Sequence, residues 1–343
     1  MRLFIVGSFI ALCGMLHAEC KDPLLGKRHL IIDAEYTYLK RAPKIHNKGC
    51  IIKVADELPA GVAAQDSGPG CTPGKCRLRT VDLLSDQKST SGIRLTADYL
   101  TDRYTTWQLR YLGMLSWHGS ADAYCDKGLE FPFKDNINNT IDFQNANRMK
   151  GVCDTDFWSG EANYWYHVTP QRVDAFSVSW LFGLRYLSLK EHFNLLGQRS
   201  YSSSNYKIET KNRMVGPQLG GDFEANFGPN FTWGISAKMG PIIDFAQNCS
   251  RMRDNNNTKT ISSYNPSDFN VCFLGELAPF FLFNLFKNII FKMSYEILYL
   301  SNVALAMNQI TYHEQNISEL RNHVNIGGYF MCYGLFIGLG VDF

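Results

Sequence analysis

Large apolar side chains recur at every second position through much of this chain. Ile93, Leu95, Ala97 and Tyr99 alternate with Arg94, Thr96 and Asp98, and Phe176, Val178, Trp180, Phe182, Leu184 and Tyr186 alternate with Ser177, Ser179, Gly183 and Arg185. Phe231, Trp233, Ile235, Ala237 and Met239 oppose Thr232, Ser236 and Lys238, while Phe291, Met293, Tyr295, Ile297 and Tyr299 oppose Lys292, Ser294 and Glu296. A period of two places successive side chains on opposite faces of a strand, so each segment has one oily face and one polar or charged face. From Gly334 onward Leu335, Ile337, Leu339, Val341 and Phe343 share a face in the same way.

The pattern predicts ten strands, near 28–40, 92–100, 106–114, 160–168, 174–189, 206–227, 231–245, 271–283, 289–301 and 323–343. In 206–227 and 323–343 the oily parity slips, between Ile208 and Phe223 and between Ile326 and Leu335. A slip predicts a bulge or an extra turn, and it makes twelve the alternative count. Alternation alone does not separate a soluble sandwich, oily side in, from a membrane barrel, oily side out. The connections do: long ones at 41–91, 115–159, 190–205, 246–270 and 302–322 are interleaved with short ones at 101–105, 169–173, 228–230 and 284–288. That rhythm is expected of an all-β, transmembrane antiparallel β-barrel with short periplasmic turns and long outer loops, the longest at 41–91, 115–159 and 246–270.

Composition sharpens this picture. Met1-Arg2, the apolar run Leu3 to Leu16 and the small residue Ala18 have the layout of a signal peptide over 1–18, with the barrel occupying 19–343. No later stretch has the roughly 18 apolar residues of a spanning helix. The chain carries 17 Tyr, 23 Phe and 6 Trp, side chains that girdle barrels. Its mean hydropathy of -0.18 requires a wet or charged interior to balance them. The net charge of +2 gives no reason to expect nucleic acid. Phe343 is expected to serve as the insertion signal of a bacterial cell outer-membrane barrel.

Four stretches carry a family resemblance: Ser91-Gly92-Ile93-Arg94-Leu95-Thr96 with Trp107 after it, Gly183-Leu184-Arg185-Tyr186-Leu187, Thr210 to Gly220, and Tyr295 to Val303. Together they resemble a β-barrel porin family of planctomycetes and chlamydia-type bacteria, whose members carry G-[FL]-R-Y-L, T-x-N-x-x-x-G-x-Q-L-G and Y-x-[FL]-L-Y-x-S-N-V in this order. The resemblance implies an outer-membrane barrel and suggests a pore. The cysteine content departs from that pattern.

Nine cysteines follow residue 18, and Cys50, Cys71, Cys76, Cys125, Cys153 and Cys249 fall in expected outer loops. In an oxidising envelope these are disulfide candidates, with Cys71 to Cys76 or Cys50, and Cys125 to Cys153, as pairings the sequence leaves open. An odd total leaves a thiol over, either buried, as for Cys272 or Cys332, or available to disulfide-linked envelope proteins. No Cys or His spacing suits a metal, and no cofactor is expected. No G-x-S-x-G or H-E-x-x-H occurs, and a barrel hydrolase would have to use His118, His167, His192 or His323 with a nearby Ser or Asp, although a polar histidine in a lumen or loop needs no catalytic role.

The expected lumen carries Arg94, Arg110, Arg185, Lys238 and Lys292 against Glu35, Asp98, Asp222, Glu224, Glu276 and Glu296. Nearly balanced charge suits either a hydrated path or a salt-bridged plug. The leading expectation is a porin for passive diffusion of small hydrophilic solutes, set in outer-membrane lipid. A non-conducting barrel that presents a disulfide-stapled surface interaction or adhesion platform is the alternative, and a hydrolase the third.

Overall fold

The period-two segments form strands. In the computed structural model, residues 29–42, 50–54, 75–102, 104–131, 141–168, 175–228, 230–254, 259–286, 288–310 and 323–343 are described, so the expected signal over 1–18 and Cys71 lie outside the described residues. The strands are β1 (His29–Arg41), β2 (Cys50–Val54), β3 (Cys76–Arg79), β4 (Thr90–Leu100), β5 (Thr105–Glu130), β6 (Ala146–His167), β7 (Phe176–Gln198), β8 (Ser203–Asn226), β9 (Phe231–Asp254), β10 (Lys259–Tyr264), β11 (Ser267–Phe286), β12 (Ile289–Val303) and β13 (Gly328–Asp342). Ten of them form a closed antiparallel barrel, in which each strand pairs with its neighbours in the chain and β1 closes against β13. Closure leaves no unpaired edge, which the hydrocarbon core demands of any strand that crosses it. Outside the ring, β2 joins β3 to the far end of β5, and β10 forms a hairpin with β9.

Strand length divides the barrel. β1, β4, β12 and β13 have 11 to 15 residues, whereas β5 to β9 have 22 to 26. A tilted strand needs only about 9–11 residues to span a bilayer. The five long neighbours therefore rise as a continuous wall beyond the membrane on the side opposite the short turns. This corrects the expected loops: 115–159 is mostly β5 and β6, 246–270 holds the end of β9, β10 and the start of β11, and 41–91 contains β2, β3 and a helix at Thr80–Ser85.

β8 and β13 contain neither a bulge nor an extra turn; their even-numbered residues face inward from end to end. What changes is the medium outside. Along β7 the apolar residues Trp180, Phe182 and Leu184 face outward and are exposed, and after Tyr186 the buried Leu187, Leu189, Phe193 and Leu195 face inward. Lipid rewards an oily exterior and water an oily interior, so the pattern inverts where the strand leaves the bilayer. A true bulge lies elsewhere, in β5, where the register with β6 shifts between Leu112 and Leu115 and Met114 takes a φ of 62°. It turns Leu115 and Trp117 into the barrel.

The apolar core is thus inside the barrel. One buried layer contains Leu39, Leu115, Trp117, Phe157, Leu189, Leu298, Phe330 and Phe336. A second, farther out, packs Ile51, Leu83, Leu129, Phe143, Met149, Phe193, Ile208 and Met307 between the tall wall and the β2–β3 hairpin.

Candidate functional site

At the level of the outward Trp107, Leu109, Trp180 and Leu184, the inward faces carry charge. Arg94 on β4 grips both oxygens of Glu35 on β1, at 2.5 and 2.7 Å, and donates to Glu296 on β12 at 2.6 Å and Ser294 at 3.0 Å. Its guanidinium lies over the Phe336 ring, 4.0 Å from the centroid. Glu35 has room because Gly338 stands beside it; a Cβ there would meet Glu35 Cγ at 2.6 Å. Across the lumen Lys238 Nζ reaches Glu161 at 2.8 Å and Glu276 at 3.2 Å, Arg185 pairs with Glu276, and Arg110 lies 3.6 Å from Glu276. Amides complete the lattice: Gln218 donates to Glu161 and Asn163, Asn163 to Gln108, and Gln108 to Asp98. Buried charges persist only when paired, and in this cage the charged and amide side chains that pair one another come from nine strands.

Toward the short turns the cage opens into a cavity of about 120 Å³ bordered on one part by Asp33, Asp98, Asp222, Glu224 and Lys292 and on another by the apolar Phe280, Leu282 and Ile290. Lys292 sits 3.3 Å from Asp33, and Glu224 accepts from Ser177 at 3.1 Å. Toward the outside the first apolar layer follows directly. Phe330 is packed between Trp117 and Phe157, with ring centroids at 5.9 and 5.5 Å. Above it a second polar tie crosses the barrel, where Arg41 pairs with Glu191 and donates to Gln87 and Thr155.

The connection after β12 enters this space instead of leaving it. Asn302 adopts a φ of 54°, a left-handed turn that asparagine tolerates, and the chain bends inward. Asn212 on β8 then holds Ala304 through two bonds of 2.8 Å, to its N–H and its carbonyl, and Glu191 accepts from Ala306 N–H at 2.8 Å. A 3-10 turn at Ala306–Gln309 buries Ala306, Met307 and Gln309.

The expected lumen residues Arg94, Asp98, Arg110, Arg185, Glu224, Lys238, Lys292 and Glu296 all face the interior, where Arg94, Arg110, Arg185, Lys238 and Glu296 belong to the ion-pair cage. Sequence reasoning missed Glu161, the hub of that cage, although it shares a face with Asn163 and His167. It also missed Arg41 and Glu191, which fall in segments expected to be loops, and Asn212, which falls in the misread parity slip. The four family-like stretches supply the interior ties Arg94, Arg185, Asn212, Gln218 and Glu296, and the exposed turn residue Asn302.

Cysteine chemistry differs from expectation. Cys50 bonds Cys76, because antiparallel β2 and β3 bring their Cα atoms to 5.8 Å. Cys125 is also disulfide-bonded, but Cys153 and Cys249 are free thiols, as are Cys272 and Cys332. Cys153 points into the outer core, and burial pushes its thiol up, out of reactive range. The histidines are dispersed. His118 pairs with Asp154 at 2.5 Å on the exposed wall, His323 with Asp268 at 3.6 Å, and His192 with Glu209 at 4.0 Å. His167 lies between Thr106 and Ser179 hydroxyls at 3.0 and 2.7 Å. Phe343 follows β13, its N–H donating to Leu30 at 3.0 Å.

A closed barrel with an apolar, aromatic outer belt and a charged interior is an outer-membrane β-barrel. Within that class it is a ten-stranded barrel with a filled interior and a raised outer wall. No protein-family model and no curated protein matches the chain. Among solved structures it is similar to the outer membrane protease OmpT of Escherichia coli, with 8% identity, 95% of this chain and 99% of that chain covered, and a TM-score of 0.42. It is similar also to the translocator domain of the autotransporter NalP of Neisseria meningitidis, at 9% identity, 100% and 96% coverage and a TM-score of 0.38. A FadL homologue of Pseudomonas aeruginosa follows at 8% identity, 92% and 90% coverage and 0.27.

Proposed function

We propose that the barrel is closed at rest and that its working part is the raised outer wall, a disulfide-stapled surface platform in the bacterial outer membrane. One observation carries this reading: Trp117, Phe157, Leu298, Phe330 and Phe336, each at most 1% exposed, fill the lumen between the ion cage and the outside. A diffusion pore for hydrophilic solutes needs a continuous wet path, and a packed apolar layer is a barrier to water and ions. The reading is non-catalytic, with the histidine pairs of the wall acting as surface ion pairs. Membership of the β-barrel porin family of planctomycetes and chlamydia-type bacteria belongs to the same proposal, supported by the interior roles of the motif residues.

The second reading, a gated porin, is favoured by the inserted connection at 304–310, which hangs on Asn212 and Glu191 rather than on a strand ladder. Planar-bilayer recording of the refolded, heat-modifiable protein decides between them. The platform reading expects no stable conductance steps, in the parent or in Asn212→Leu. Steps in the parent, or steps that appear only in Asn212→Leu, would establish the pore instead.

A further inference from the structure

Just above the belt, the outward faces of β7, β8 and β9 carry Lys190, Lys207, Lys211, Arg213 and Arg251. Strand register sets Lys190 directly opposite Lys211, and Lys207 directly opposite Arg251. Like charges facing one another across a ladder destabilise it, so two such pairs side by side call for an anion. Little on the protein supplies one. Glu209 neutralises Lys211 at 2.7 Å, Asp156 stands opposite Lys190 without an ion pair, and among the described residues the other four cations have no carboxylate within 4 Å.

Directly below lies a groove of about 650 Å³ on the lipid-facing wall, lined by Tyr111, Trp158, Ala162, Leu184 and Val215 around Gly160. Trp158 stands between Tyr111 and Tyr186, its ring centroid 6.4 and 5.1 Å from theirs. A Cβ on Gly160 would meet nothing within 4 Å, so the groove floor is open space. Register ties the two features together: Tyr186 faces Val215 in the groove, and two residues on, about 7 Å higher, Ser188 faces Arg213. A cationic cluster one step above an acyl-sized apolar groove is the complement of a phosphorylated lipid.

We propose that this face of β6 to β9 binds a phosphomonoester-bearing lipid of the outer leaflet, its phosphate on Lys190, Lys211 and Arg213 and one acyl chain in the groove over Gly160. This holds whether or not the lumen conducts. Native mass spectrometry of the full chain in detergent, titrated with diphosphoryl lipid A and with its dephosphorylated form, tests it. The expected result is one retained phosphorylated lipid per barrel, with apparent affinity reduced about a hundredfold in the triple variant Lys190→Gln, Lys211→Gln, Arg213→Gln. Gly160→Leu, whose Cβ enters open space, should weaken binding at least about tenfold while heat-modifiability is kept. Equal retention of the dephosphorylated lipid, unchanged binding in either variant, or displacement by millimolar inorganic phosphate would overturn the proposal.

Discussion

Arg94 shows what a single interior residue must do in this barrel. It is almost wholly buried and serves two carboxylates, Glu35 and Glu296, on different strands. Ion pairs of this kind add little net stability over a well-packed apolar substitute, but removing one partner strands the others in a medium that cannot solvate them. Arg94→Met is therefore expected to destabilise the barrel by about 3–5 kcal/mol, measured by urea unfolding in detergent. The double variant Arg94→Met, Glu35→Gln should recover part of that loss. A loss below about 1 kcal/mol would mean that water enters the cage and screens it, as it does for surface pairs.

At the scale of elements, the β2–β3 hairpin is a lid. Its Ile51, Ile52, Val54 and Leu78 are buried against the outer core, yet β2 meets the barrel only at Lys53 and Val54. With so small a ladder to the barrel, the lid rests on its buried side chains, and the Cys50–Cys76 crosslink, which spans 26 residues, holds its two strands together so that they pack as one unit. Loop-closure entropy for that span is worth about 3.5 kcal/mol. Cys50→Ser, Cys76→Ser is expected to leave the barrel heat-modifiable and membrane-inserted, while protease cleavage within 50–79 becomes at least tenfold faster. Equal cleavage rates in the two proteins would show that the lid is held by packing alone. The same element carries the lesson about loops: 41–91 read as a loop because its apolar residues come in short runs that only a neighbouring wall can bury.

For the whole molecule, the inversion of oily parity marks where the membrane stops. On β7 that boundary lies between Leu184, 62% exposed, and Leu189, fully buried. Phe182→Arg, in the middle of the outward oily run of β7, is expected to lower stability in lipid vesicles by about 2–4 kcal/mol, the penalty for a cation near the bilayer midplane. His192→Leu, farther along the same strand and above the boundary, where only an exposed pair with Glu209 at 4.0 Å is lost, should change it by less than about 0.5 kcal/mol. Similar effects at the two positions would place the boundary wrongly and remove the raised wall as a separate, water-facing region.

Local pattern was enough for the class of fold. Alternation at Phe176 to Tyr186 and Phe231 to Met239, with the long–short rhythm of connections, pointed to ten strands and a charged interior, because lipid imposes its polarity on every residue of a crossing strand. Past the bilayer that rule reverses sign, and a reader of sequence cannot see the reversal point without knowing what each strand faces. Ile208 and Phe223 point to opposite sides of one unbroken strand, and only the closed barrel shows that both are satisfied. The partnerships of Glu161 with Lys238, of Arg41 with Glu191 and of Asn212 with the backbone at Ala304 join residues 77, 150 and 92 positions apart. Such pairs have no local signature. Whether the lumen is a path or a plug was likewise decided by tertiary structure, since the same charged and aromatic side chains serve either state until their packing is known.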